Sequence, residues 1–236
     1  MQRRFFAGLC TAVLAIGAGA LGQGSARAAE PVYSSVAKPD PSTYVMDPAA
    51  VGEIGDSLTY GAGRGIASQT TKLTAAGWSS SGVKVDGVKG RPLAKDWSGL
   101  PGSISVLRTW RTGGFDPKTV IVALGTNNRN ATTALQTTHI KALLAEIGPG
   151  HRIYWVNLGF RDQADATVAR FNANLASIAA ARTDLTVLDW NSHVHAQPDQ
   201  SKLWSATDAT GIHMTYAGYE VRYKFIAAAV RPLPAG

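Results

Sequence analysis

The chain has 236 residues, 45% of them hydrophobic and 17% charged, with a formal net charge of +7. That is enough for one globular domain with a sizeable core, and it excludes a fibrous, coiled-coil or wholly disordered chain. Its basic residues are spread along the sequence rather than gathered in a block or interleaved with aromatics, which gives nucleic-acid binding little support.

Residues 1–28 read as a secretory signal peptide. Arg3 and Arg4 supply a positive start, Phe5 to Leu21 is apolar, and Ala26-Arg27-Ala28 is a small-x-small cleavage pattern that leaves Ala29 as the first mature residue. Arg3, Arg4 and Arg27 fall in this leader, so its removal lowers the net charge from +7 to +4. The only cysteine, Cys10, goes with it, so a mature chain would hold no disulfide. An extracytoplasmic protein of the cell envelope or periplasm, or a secreted one, is expected, with no membrane anchor once the leader is cut. Residues 29–48, punctuated by Pro31, Pro39, Pro41 and Pro48, read as a linker, and residues 49–236 as the folded domain.

From there short apolar runs alternate with helical periodicities. Ala49–Gly55 reads as a strand and residues 58–77 as a helix. Residues 83–88 alternate as a strand, and residues 98–112 place Ile104, Leu107 and Trp110 at helical spacing. Thr119–Leu124 is a continuous, β-branched run that suits a strand buried on both faces. A helix over 131–147 follows, with Leu135, Ile140, Leu143, Leu144 and Ile147, then a strand over 152–158. A helix over 165–182 (Val168, Phe171, Leu175, Ile178), a strand over 185–190 and a helix over 215–230 complete the chain. This strand–helix repetition predicts a three-layer α/β/α sandwich around a mostly parallel sheet of about five strands. In such sheets ligands bind beyond the carboxyl ends of the strands.

Four segments sit at those ends. Gly55-Asp56-Ser57-Leu58-Thr59 follows the first strand and puts a serine at a strand-to-helix turn, where either Asp56 or Ser57 could alternatively serve as a helix cap. Gly87-Val88-Lys89-Gly90-Arg91 follows the second, with glycines that let backbone N–H groups approach a ligand. Gly125-Thr126-Asn127-Asn128 follows the third and offers a side-chain amide. Gly211-Ile212-His213-Met214-Thr215 precedes the last helix, and His213 is the candidate general base. His193 and His195 are rivals for that role, while His139 and His151 fall within elements. The His193-x-His195 pair has no neighbouring cysteine or carboxylate cluster to complete a metal site.

Together, in this order, the four segments resemble the SGNH hydrolase (GDSL-type esterase/lipase) family over about residues 49–230. The layout from Thr119 onward resembles the exported SGNH domains of bacterial cell-wall O-acetyltransferases. The resemblance implies an SGNH, flavodoxin-like fold and a serine esterase that needs no metal or cofactor and acts on small acyl esters, O-acetyl groups on carbohydrate among them. It implies Ser57 as nucleophile and His213 as base, with an oxyanion hole formed by Ser57, Gly90 (Gly87 as second choice) and Asn127. The family places an aspartate three residues before the histidine, but here that position is Thr210, and Asp208 lies five before it. Three readings stay open: Asp208 reaches His213 through a two-residue bulge, a Ser–His dyad works without an acid, or the site is impaired. The alternatives for function are an O-acyltransferase with the same machinery, a non-catalytic glycan-binding relative, and a lipolytic enzyme with Trp78, Trp97, Trp110 and Trp204 lining an acyl groove. An envelope protein that binds through its charge alone is a further one. Loops 91–103 and 191–207 are expected to shape the pocket. Acyl length, alcohol partner and oligomeric state are not readable from the sequence.

Overall fold

A computed structural model describes residues 31–232 of the chain, so the expected leader at 1–28 lies outside the described residues. Five parallel strands form one sheet in the order β2-β1-β3-β4-β5: β1 (Met46–Gly55), β2 (Val83–Gly87), β3 (Asp116–Ala123), β4 (Arg152–Val156) and β5 (Leu185–Leu188). Among the described residues seven α-helices surround it: α1 (Ser57–Tyr60), α2 (Gly65–Ala75), α3 (Ser103–Thr112), α4 (Thr133–Ile147), α5 (Ala166–Ala179), α6 (Trp190–His195) and α7 (Tyr216–Ala229). Helices α3, α4 and α5 pack against one another as one layer, and α2, α7 and α6 as the other. The architecture is the expected α/β/α sandwich.

The buried residues explain the layers. From Ala50 to Gly55 every residue of β1 is buried, as are Val120 to Ala123 of β3, because helices cover both faces of the sheet. Ile104, Leu107 and Trp110 turn α3 inward, and Phe171 and Leu175 do the same for α5. Caps set where the helices begin: Thr132 Oγ1 accepts from Leu135 N for α4, Asp165 from Thr167 N for α5, and Thr215 Oγ1 from Gly218 N for α7.

Several elements depart from the sequence expectations. The helix expected over 58–77 is broken into α1 and α2 at Gly61–Gly63, where Gly61, Ala62 and Gly63 all have positive φ (52°, 54° and 88°). A side chain on Gly61 would meet the Tyr223 hydroxyl, which donates to Leu58 O at 3.2 Å. Part of the segment expected to be a linker is docked onto the domain. Asp96 Oδ2 accepts from Ser35 N (3.0 Å) and Ser35 Oγ (2.8 Å), Arg108 donates to Val36 O (2.7 Å), and β1 begins at Met46. The short helix α6 stands where only a loop was expected, and Leu135 is 46% exposed rather than on the core face of α4. Of the dispersed positive charges, Arg91 and Arg111 are buried, and Arg111 donates to Asp116 at 2.8 Å.

The strand order places the candidate site. From β1 the chain moves outward to β2 and then crosses back to β3 on the other side of β1, so the crevice opens at the carboxyl ends of β1 and β3. Gly55 is paired with Gly87 on one side and Ala123 on the other, which sets the three following loops side by side.

Candidate active site

Ser57 leaves the end of β1 as the first residue of α1. Asp56 is the cap: its Oδ1 accepts from Leu58 N at 2.9 Å, so the Ser57 hydroxyl is free of that duty. Burial raises the Asp56 carboxyl above its ordinary value, against hydrogen bonds from Leu58 N and Thr126.

His213 stands opposite. Its Nε2 lies 3.1 Å from Ser57 Oγ and its Nδ1 lies 3.0 Å from Asp208 Oδ2. With Nδ1–H donating to the carboxylate, Nε2 is left to accept the serine proton. Asp208 is thus in contact with the imidazole despite its five-residue separation. The chain turns back on itself between them: Asp208 N donates to Ser205 O, Gly211 N to Asp208 O, and Gly211 takes φ +67°. The carboxylate is held by four further donors. Oδ2 accepts from Ile212 N (3.0 Å) and His213 N (2.6 Å), and Oδ1 from Thr210 N (3.0 Å) and Thr210 Oγ1 (2.5 Å). Partial burial opposes ionisation, but these hydrogen bonds and the nearby imidazole outweigh it and hold the Asp208 carboxyl well below the usual carboxylate range. Thr210, where the family would have its acid, instead caps Asp208.

The other histidines are engaged elsewhere. His151 lies 3.3 Å from Asp116, His193 stacks on Phe225 at 4.4 Å, His139 packs edge-on to Tyr33, and His195 faces Trp204. Among the described residues no group of three or more His, Cys, Asp or Glu could hold a metal ion.

On the other side of Ser57, Asn127 is exposed and its Nδ2 donates to Arg91 O at 2.9 Å, which orients the amide and leaves its second N–H available. Gly90 takes φ +75° in the turn closed by Arg91 N to Val88 O, and its N–H has no partner among the described residues. Gly87 is packed under the Thr59–Tyr60 backbone in the sheet, so Gly90 is the better placed of the two. The sequence reading missed Arg91 as part of this site. Its buried guanidinium donates to Gly55 O (3.0 Å), Asp86 O (2.9 Å) and Asp86 Oδ1 (2.7 Å), bracing the ends of β1 and β2. The signal was there in Asp86 five residues before an arginine that follows a glycine turn. Of the four tryptophans expected to line an acyl groove, Trp78, Trp110 and Trp204 are buried, and Trp97 is 66% exposed.

The model of the GDSL-like lipase/acylhydrolase family matches residues 54–221, from the end of β1 into α7. The chain belongs to that family. It is therefore a carboxylic ester hydrolase by class. Among curated proteins no sequence matches it. Solved structures share the GDSL fold at low identity. The C-terminal catalytic domain of peptidoglycan O-acetyltransferase A from Streptococcus pneumoniae is 21% identical, with 76% of this chain and 91% of that one covered and a TM-score of 0.54. A lipase/acylhydrolase from Enterococcus faecalis is 18% identical, covering 79% and 99%, with a TM-score of 0.56. An acetyl xylan esterase from Geobacillus stearothermophilus is 14% identical, covering 79% and 97%, with a TM-score of 0.54.

Proposed function

We propose that this protein is an exported serine esterase that hydrolyses small acyl esters, O-acetyl esters in particular, through an acyl-enzyme on Ser57. The observation that carries this is the unbroken contact chain from Ser57 Oγ to His213 Nε2, and from His213 Nδ1 to Asp208 Oδ2, at 3.1 and 3.0 Å. Ser57 Oγ attacks the ester carbonyl carbon while His213 takes its proton. The oxyanion is stabilised by the N–H groups of Ser57 and Gly90 and the Asn127 amide. The carbon–oxygen bond to the alcohol then breaks, and the alcohol leaves with the proton from His213. Water, deprotonated by His213, attacks the acyl-serine, and the carboxylic acid is released. Asp208 stays ionised, keeps the imidazole in the useful tautomer and stabilises the imidazolium. A binding module has no need of this arrangement.

Export rests on the leader pattern at 1–28, and among the described residues no helix is long and apolar enough to cross a membrane. The small acyl group agrees with relatives of the same fold named for acetyl esters. Transfer of the acyl group to a glycan hydroxyl instead of water uses the same residues, and the His213 side chain is 45% exposed, so an acceptor can reach it.

The test is turnover of an activated acetate ester by the purified protein, with Ser57→Ala alongside and intact mass after rapid quench. Loss of turnover and of a one-acetyl adduct in Ser57→Ala is expected. Wild-type protein that neither turns over the ester nor acetylates sinks the reading. Transfer is distinguished by adding a glycan acceptor, which would yield acylated glycan and less free acetate.

A further inference from the structure

A cavity of about 420 Å³ lies beyond the carboxyl ends of β4 and β5, on the same sheet edge as Ser57. Arg161, Gln163, His195, Gln200, Ser201 and Trp204 line it. It adjoins the His213 loop directly. Arg161 N donates to Gly211 O at 2.8 Å, Ser205 N donates to His213 O at 3.1 Å, and Trp204 is bridged to Met214. The stem of Arg161 also lies against Gly211, where any Cβ would press on it.

The lining has a chemical character. The Gln163 amide and the His195 imidazole stand at the edge of one tryptophan, while the Gln200 amide is bonded to Val194 O, Gln197 O and Trp204 Nε1 and the Ser201 hydroxyl donates to Asp199; such a polar lining suits a ring that carries hydroxyls rather than an acyl chain. His195 Nε2 is buried and has no hydrogen-bond partner among the described residues. The exposed guanidinium of Arg161 is one of several without an ion pair among the described residues, with those of Arg64, Arg129, Arg152, Arg170, Arg222 and Arg231, but it is the one that lines this cavity. Arg91, Arg108, Arg111 and Arg182 are each paired with a carboxylate, whereas Arg161 has no carboxylate within ion-pair distance among the described residues. Neighbouring acids are committed elsewhere: Asp162 accepts from Ala164 N, Asp199 pairs with Lys202, and Asp208 is filled by Thr210, Ile212 and His213. A free, planar, permanently charged fork beside a polar cavity has the chemistry to receive a carboxylate.

We propose that this cavity is the alcohol-side subsite and that it takes a sugar bearing a carboxylate, held by Arg161, so that the preferred substrates are acyl esters of acidic sugars. The ester part of this proposal rests on Ser57 acting as nucleophile, and the carboxylate part does not. His195, unsuited by position to be the base, then serves as a ligand to the sugar.

The two parts are tested separately on the full protein. Glucuronate and glucose, neither of them an ester, are titrated into wild type, Arg161→Ala and Arg161→Lys and followed by NMR shifts or calorimetry. Wild type is expected to bind glucuronate at least tenfold more tightly than glucose. Arg161→Ala should remove that preference and Arg161→Lys should keep part of it, because a charge-assisted hydrogen bond is worth about ten- to a hundredfold in affinity. Equal binding of the two sugars by wild type, or an intact preference in Arg161→Ala, overturns the proposal. The second measurement is the ratio of kcat/KM for acetylated glucuronate over acetylated glucose. It is expected to fall about tenfold in Arg161→Ala, mainly through KM, and an unchanged ratio also overturns the proposal. Absence of turnover with both esters and with an activated acetate, alongside an intact glucuronate preference, refutes the esterase reading and leaves the carboxylate site standing.

Discussion

Replacing Asp208 separates what its charge does from what its shape does. Its Oδ2 faces three donors, Ile212 N, His213 N and His213 Nδ1, at 2.6 to 3.0 Å. An asparagine here must turn its oxygen to that side, because its NH2 would face three N–H groups. The Nδ1 tautomer of His213 is therefore preserved in Asp208→Asn. What is lost is the charge opposite the imidazolium, together with the acceptor that Oδ1 offers to Thr210 N, and the charge term is worth about 1.5–3 kcal/mol, or about ten- to a hundredfold in kcat/KM. Asp208→Ala removes all acceptors, frees three backbone N–H groups and leaves the ring unoriented. Its loss should approach the ~10⁴-fold seen when a serine protease loses correct orientation of its histidine. The assay is kcat/KM on an activated acetate ester across both variants, with thermal melts to confirm folding. Wild-type rates in both variants would refute the argument and leave a Ser57–His213 dyad. A loss in Asp208→Asn as large as in Asp208→Ala would show that the amide flips and that the donor arrangement does not control it.

Three further outcomes follow from the same geometry. If Asn127 is an oxyanion donor as proposed, Asn127→Ala should lower kcat about 10²–10³-fold with little change in melting temperature, since the residue is exposed and only one of its amide hydrogens is used, by Arg91 O; a loss under threefold would remove it from the hole. Glu53, fully buried in β1 with Thr59 donating to it at 3.0 Å, is pushed up to about 7 by burial from an ordinary 4.5. The folded state thus holds its proton more tightly than the unfolded one, so the contribution of Glu53 to stability is greatest below about pH 4.5 and falls by about 3 kcal/mol as pH rises from there to about 7. Glu53→Gln should flatten that part of the denaturant-midpoint profile between pH 5 and 8, and an unaltered slope would assign it to another group. Gly61→Ala must accept φ +52° and displace the Tyr223 hydroxyl, which should cost about 2–3 kcal/mol and about 5–10 °C in melting temperature; an unchanged melt would mean that α1 and α2 can be rejoined cheaply.

What the sequence made legible was whatever is written locally. Val120, Ile121 and Val122 announce a strand buried on both faces because their own side chains are β-branched and apolar. Three of the four chemical segments fall at the ends of β1, β2 and β3, where glycines mark the turns, and the fourth precedes α7. The break at Gly61 was hidden because its cause is the hydroxyl of Tyr223, far along the chain. Arg91 looked like one surface charge among several, and its burial follows from Gly55 and Asp86 being brought together by strand pairing. Helix α6 is short and polar, so its periodicity is faint, and its capping by Asp189 is the main local sign of it. Residues 33–36 looked like spacer because their partners, Asp96, Ser105 and Arg108, come from distant segments.

The placement of Asp208 teaches something more general about this site. The Ser57–His213 distance is set by elements far apart in the chain: the serine opens α1 two residues after β1 ends, Arg91 and strand pairing fix the end of β1, and α7 begins three residues after the histidine. A shift in any of these would move nucleophile and base apart. The acid–base contact is different in kind. Asp208 and His213 belong to one loop, and that loop is closed by hydrogen bonds between its own residues, from Thr210, Gly211, Ile212 and His213 to Asp208. Its internal spacing can therefore change without disturbing the sheet, provided that a turn residue returns the carboxylate to Nδ1. Gly211, with φ +67°, and Thr210, which donates twice to Asp208, supply that turn here. On this reasoning the aspartate's distance from the histidine along the chain is a poor guide to whether the site is intact, and the hydrogen bonds that close the loop are a better one.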